Sequence, residues 1–213
     1  MLDTEIPVVI SPILTIVPRG RTVDLADYSG VILTSENGAR ALAEQADVTS
    51  MKAWCVGERT ASAAAALGMA AVSAGGNAAD LIELVRAQRP ADPLLHAHGA
   101  EVRGDVAQSL TALGIPVQAK IIYDQVETPL SGPARSLLAG AAPVILPLFS
   151  PRSARLVGDA ARAARAPLAI VALSAAVEQA WTGPGPESFT IVDHPDAAHM
   201  TGAIATIWAR LSA

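Results

Sequence analysis

The chain has 213 residues, 15 Lys and Arg against 20 Asp and Glu, a formal net charge of −5, and a hydrophobic fraction of 51%. No apolar run approaches the roughly 20 residues that cross a bilayer, and the basic residues are too scattered to form a stripe for nucleic acid, so both a membrane span and a nucleic-acid partner are disfavoured. The single cysteine, Cys55, allows no intramolecular disulfide, and Met1 to Glu5 lack the basic-then-apolar pattern of a secretory leader, which points to the cytoplasm.

Along the chain, short runs rich in Val, Ile and Leu alternate with helical patterns. Val8 to Val17 is a long extended run that leads into no helix. Val31 to Thr34 precedes a helical pattern at 37–45, Ala53 to Val56 one at 60–67, and Leu94 to Leu95 one at 102–113. Val117 to Val126 is a second long extended run. After it, Val144 to Leu146, Leu168 to Val171 and Phe189 to Val192 are followed by helical patterns near 152–164, 175–181 and 196–211. Strands alternating with helices predict an α/β protein whose parallel sheets are covered on both faces. The two long runs allow two organisations. If they pair, residues 19–116 form a domain inserted into an outer domain of residues 1–7 and 130–213, with 8–18 and 117–129 as hinge strands. Otherwise both are edge strands of one large sheet.

Ligands of parallel α/β sheets lie beyond the carboxyl ends of the strands, where helix N-termini present free N–H groups. At those junctions the sequence places Thr34, Ser35 and Asn37; Gly57 and Thr60; Gly99; Ser150, Arg152 and Ser153; and Ser174. Small hydroxyl residues and glycines suit a ligand with several carboxylates, although the same residues cap helices where no ligand binds. No Gly-rich phosphate loop follows a strand, so no nucleotide cofactor is implied. His96 and His98 share a strand face but lack the further ligands that a zinc site needs. Cys55 reads as a buried structural thiol, and Glu101 and Asp105 as first-turn helix charges. Tyr123 lies in the second long run and belongs to the 3% of aromatic residues. It reads either as a proton donor facing a ligand or as packing over the paired strands.

Read in order, these junctions resemble the uroporphyrinogen-III synthase family. Val31 to Ala41 is similar to its strand ending in Thr-Ser with Asn-Gly following, and Val56 to Ala61 to its Gly-x-x-Thr-Ala turn. The stretch Leu94 to Gly99, then Leu110 to Gly114 and Ile122 to Val126, resembles the part that ends in the family's hinge tyrosine. Leu146 to Ser153 is similar to the second domain's strand ending in Phe and small hydroxyl residues. Two features depart from the pattern. Family members open with a strand ending in Thr-Arg-Pro and a helix, whereas this chain starts near the end of that helix. Val177 stands where the family often has a second threonine.

The resemblance implies two parallel-sheet, flavodoxin-like lobes joined by a two-stranded β hinge, with a cleft between the lobes. It implies a cofactor-free lyase that closes hydroxymethylbilane, a linear tetrapyrrole, to uroporphyrinogen III through a spiro intermediate that inverts the last pyrrole ring. Tyr123 would assist departure of the terminal hydroxyl, and the junction residues would hold carboxylates, with Arg152 adding charge. The protein is expected to act as a monomer with no resident metal. The alternative is a non-catalytic two-lobed binding protein for a small anionic metabolite.

Overall fold

A computed structural model describes residues 6–20, 22–90, 93–101 and 104–212. The expected outer-domain residues 1–5 and the first two residues of the helix expected at 102–113 lie outside the described residues. The described residues divide into two compact units, one within 15–126 and the other formed by 6–14 and 127–212.

The first of these is built on a six-stranded sheet. Its strands are β1 (Leu14–Pro18), β2 (Gly30–Leu33), β3 (Lys52–Cys55), β4 (Ala70–Ser73), β5 (Leu94–Gly99) and β6 (Val117–Glu127), in the order β1-β6-β5-β2-β3-β4. Four helices alternate with them: α1 (Glu36–Ala43), α2 (Glu58–Ala66), α3 (Ala78–Gln88) and α4 (Val106–Ala112). Strands β2 to β6 are mutually parallel. β1 runs the other way: as it advances from Ile13 to Arg19, its partner retreats from Thr128 to Ile122, through Thr128 N–H to Ile13 O (2.9 Å) and Arg19 N–H to Ile122 O (2.7 Å). The long run from Val8 is therefore extended strand only from Leu14; residues 6–12 belong to no helix or strand.

Every residue of β2 is buried, because both faces of the sheet are covered. Val31 and Leu33 pack with Ala39, Leu42, Ala61 and Ala64 from α1 and α2. Ile32 points the other way and packs with Trp54 of β3 and with Leu81, Val85, Val106 and Leu110 of α3 and α4. Truncating any of these large side chains to Ala is expected to cost about 2–5 kcal/mol. The sequence patterns captured three strand–helix units between the long runs, but the structure has four. β4 is a short edge strand of small residues with no fully buried position, and α3 follows it.

The second unit has a three-stranded parallel sheet of β7 (Val144–Leu148), β8 (Leu168–Ala172) and β9 (Ser188–Ile191), in that order. Around it lie α5 (Gly132–Ala139), α6 (Pro151–Ala160), α7 (Ala175–Gln179) and α8 (Ala197–Leu211). The central strand β8 is buried throughout. Helix α5 has little apolar signal of its own, with Leu138 its one buried residue.

Polar caps start most helices. Ser35, Asn77, Asp105, Ser131, Ser150 and Asp196 each accept the backbone N–H three residues on, which satisfies one of the free donors of the first turn.

Candidate functional site

From β2 the chain moves outward through β3 to β4, then α3 carries it back across the sheet to β5 on the other side of β2. The order thus switches direction between β2 and β5, and ligands of open α/β sheets favour the carboxyl ends of strands at such a point. Three of the expected residues meet there. Ser35 follows β2, Gly99 ends β5, and Tyr123 lies on β6 beside Gly99.

Their geometry is tightly specified. Ser35 caps α1 by accepting Gly38 N–H at 3.0 Å, and its Oγ lies 3.1 Å from Tyr123 Oη. Tyr123 is 4% exposed, with its ring against Gly99: a Cβ on Gly99 would stand 2.6 Å from the ring's Cε2 and Cζ. Gly38 allows a similar approach on the α1 side, since a Cβ there would come within 3.2 Å of the Ala97 carbonyl.

An irregularity in the ladder aims the tyrosine. His98 pairs with Ile121 but Gly99 pairs with Tyr123, so β6 carries one extra residue at this point. Such a bulge breaks strict alternation, which is how Ile122 and Tyr123 can both be buried in the same core. The Ile122 carbonyl at the bulge accepts both Arg19 N–H at 2.7 Å and Gln45 Nε2 at 2.9 Å. Gln45 is itself buried and also donates to Ala41 O at 2.8 Å, tying α1 to the bulge. Sequence reasoning missed Gln45, whose partner is 77 residues away in the chain.

Beside this pair is an open hollow of about 650 Å³ lined by Ser35, Glu36, Asn37, Val56, Gly57, Glu58, Arg59 and Thr60. It joins the first turns of α1 and α2. Four expected residues therefore share one surface: Ser35, Asn37, Gly57 and Thr60. Gly57 caps α2 without a side chain, and its backbone passes so close to Gly76 that a Cβ would sit 3.4 Å from the Gly76 Cα. Thr34 is half-buried, between the end of β2 and the cap of α1.

The remaining expected residues belong to the other unit. Ser150 and Ser153 close a reciprocal capping box on α6: each backbone N–H is received by the other's hydroxyl at 3.1 Å, and the two Oγ atoms are 2.7 Å apart. Arg152 is in the first turn of the same helix. Ser174 precedes α7 and makes no side-chain capping bond. Val177 is 1% exposed and packs in the core with Leu148, Ile170 and Ala172, so its position calls for an apolar side chain.

Burial governs the titration of two other residues. It is the main cause that pushes His96 down to about 4, with His98 adding to the effect and Asp105 opposing it. Burial also pushes the Cys55 thiol up to about 11, as expected of an inert structural cysteine. The rings of His96 and His98 lie 4.8 Å apart. No group of three or more His, Cys, Asp or Glu among the described residues could hold a metal ion, and no helix among them is long and apolar enough to cross a membrane.

A family model described as uroporphyrinogen-III synthase HemD matches residues 4–202. The fold resembles that of a uroporphyrinogen-III synthetase from Helicobacter pylori, with a TM-score of 0.66 and 14% identity over 92% of this chain and 91% of that one. Uroporphyrinogen III synthase from the extreme thermophile Thermus thermophilus aligns with a TM-score of 0.41 and 14% identity, over 92% of this chain and 86% of that one. No curated protein matches the chain.

Proposed function

The chain belongs to the uroporphyrinogen-III synthase family, and from that premise we propose that the Ser35–Tyr123 hydroxyl pair acts on the leaving hydroxyl of hydroxymethylbilane while the neighbouring helix N-termini hold its carboxylates. The family is one of lyases, and its membership gives no support to a non-catalytic binding protein.

One observation carries the reading: the 3.1 Å contact between the two hydroxyls beside an open hollow. The pair has two protons and one mutual hydrogen bond. Ser35 already accepts from Gly38 N–H, so whichever hydroxyl donates within the pair, one O–H remains to donate outward. Delivered to the terminal hydroxyl of the substrate, that proton lets the C–O bond break as water leaves. The adjacent pyrrole nitrogen supplies the electron pair and becomes an azafulvenium cation. The last ring's substituted carbon bonds to that cation, giving the spiro intermediate, which fragments and recloses with the ring inverted. The proton then lost from the closing pyrrole carbon restores the hydroxyl pair. Because the substrate provides its own electrons, this route needs neither metal nor cofactor. A positioned acid contributes roughly 10²–10⁴-fold, and holding a flexible chain with its ends together contributes more.

Thr34, Asn37, Gly57 and Thr60 are proposed to bind carboxylates with the N–H groups of α1 and α2; Ser150, Arg152, Ser153 and Ser174 do so at α6 and α7. Gly99 contributes by seating the Tyr123 ring. The runs 8–18 and 117–129 are proposed as a hinge. In support, the chain passes from one compact unit to the other after Leu14 and after Val126, both within these runs. The protein is proposed to work as a cytoplasmic monomer.

The test is incubation with freshly generated hydroxymethylbilane, followed by oxidation and separation of the uroporphyrin isomers. Type III in excess is expected. Type I alone, at the rate of a protein-free control, would overturn the proposal.

A further inference from the structure

The hollow between α1 and α2 carries charges that carboxylate binding does not yet explain. Glu36 and Glu58 stand at its rim, where they repel an anion. Arg59 crosses from α2 to α1 and binds Glu36 Oε1 through Nη2 at 2.7 Å, and Arg40 approaches Glu36 Oε2 at 3.7 Å. The Arg59 side chain is 87% exposed, so its ion pair is of the weak, solvent-screened kind that exchanges readily. Thr60, 6% exposed, also lines the hollow. A hydroxyl on the lining of an open, N–H-lined hollow is a donor available to an anion bound there.

We propose that Arg59 is a further carboxylate-binding residue, held in the ligand-free protein by Glu36 as an internal stand-in for a substrate carboxylate. This rests on the reading of the hollow as a site for substrate carboxylates. The guanidinium fork matches a carboxylate from either source. On binding, a substrate carboxylate takes the place of Glu36 on Arg59 and accepts the Thr60 O–H and free N–H groups of α1 and α2. Glu36 keeps Arg40 as its counter-charge, so the exchange leaves no carboxylate uncompensated. The α1–α2 hollow thereby selects anionic over neutral substituents, despite the acidic rim.

Uroporphyrin I, a polycarboxylate macrocycle with fluorescence of its own, is the probe, titrated at low salt into the wild type, Arg59→Gln, Glu36→Gln and the double variant. Arg59→Gln is expected to weaken binding roughly 5-fold, and Glu36→Gln to tighten it by a similar factor. The double variant decides whether Glu36 acts through Arg59. The exchange predicts that Glu36→Gln has no further effect once Arg59 is gone; a general relief of negative charge predicts equal tightening in both backgrounds and overturns the proposal. Unchanged binding by Arg59→Gln also overturns it, while leaving the carboxylate site standing. If wild-type protein fails to bind uroporphyrin I at all, the carboxylate reading of the hollow falls and takes this proposal with it.

Discussion

His96 should contribute to acid destabilisation of the first unit. It is 2% exposed, its Nε2 has no hydrogen-bond partner among the described residues, and burial holds its proton affinity down to about 4 from an ordinary value of 6.5. The folded value lies below the unfolded one, so between pH 6.5 and 4 the unfolded chain binds a proton that the folded chain refuses. The stability at stake is fully present above pH 6.5, falls as pH drops toward 4, and is constant below. The shift corresponds to about 3 kcal/mol in all, of which about 2 kcal/mol is lost by pH 5. His96→Leu removes the titrating ring and the orphaned nitrogen while keeping an apolar side chain beside Ile32, its register partner on β2. Urea unfolding of both proteins at pH 7.5 and pH 5 isolates the effect, because contributions from other groups cancel in the difference. The variant should lose about 2 kcal/mol less than wild type over this interval. Identical losses would refute the assignment of the acid sensitivity to His96.

Gly99→Ala should act on Tyr123 without touching it chemically. With a Cβ 2.6 Å from the ring, the tyrosine must move, the contact to Ser35 opens, and turnover falls as in Tyr123→Phe, with about 1–3 kcal/mol of stability lost; a variant with normal kcat would show that the ring's placement is immaterial. Ser150→Ala removes the capping box of α6, and a drop in unfolding free energy of about 1 kcal/mol with a raised KM is expected. Exhaustive dialysis against EDTA should leave the rate of type III formation unchanged, and a loss that zinc or magnesium restores would contradict a metal-independent reaction.

The alternation of apolar runs with capped helices was enough to read the α/β class, because β2 and β8 are buried on both faces, as is β3 after Lys52, and their sequences are therefore continuously apolar. It missed β4, α3 and α5; β4 and α5 are made of small or largely exposed residues that carry little pattern. The cap residues Ser35 and Ser150 were legible, since a helix start needs a local acceptor. What builds the surroundings of Ser35 was not. The bulge that turns Tyr123 inward, the Gln45 side chain that holds the bulge, and the Arg59–Glu36 bridge all depend on residues brought together by tertiary folding. No local period or spacing encodes them. Gly99 was legible as a junction glycine, but its need for closeness to a ring on β6 appears only once β5 and β6 are paired.

The central claim, that Ser35 and Tyr123 work as one proton-donating unit, is tested most directly by the kcat of Ser35→Ala, Tyr123→Phe and the double variant with hydroxymethylbilane. If the pair shares its outward proton, Tyr123→Phe lowers kcat roughly 10- to 1000-fold, and the double variant is no slower than the slower single variant. Losses that multiply, or a Tyr123→Phe variant with wild-type kcat, would contradict it.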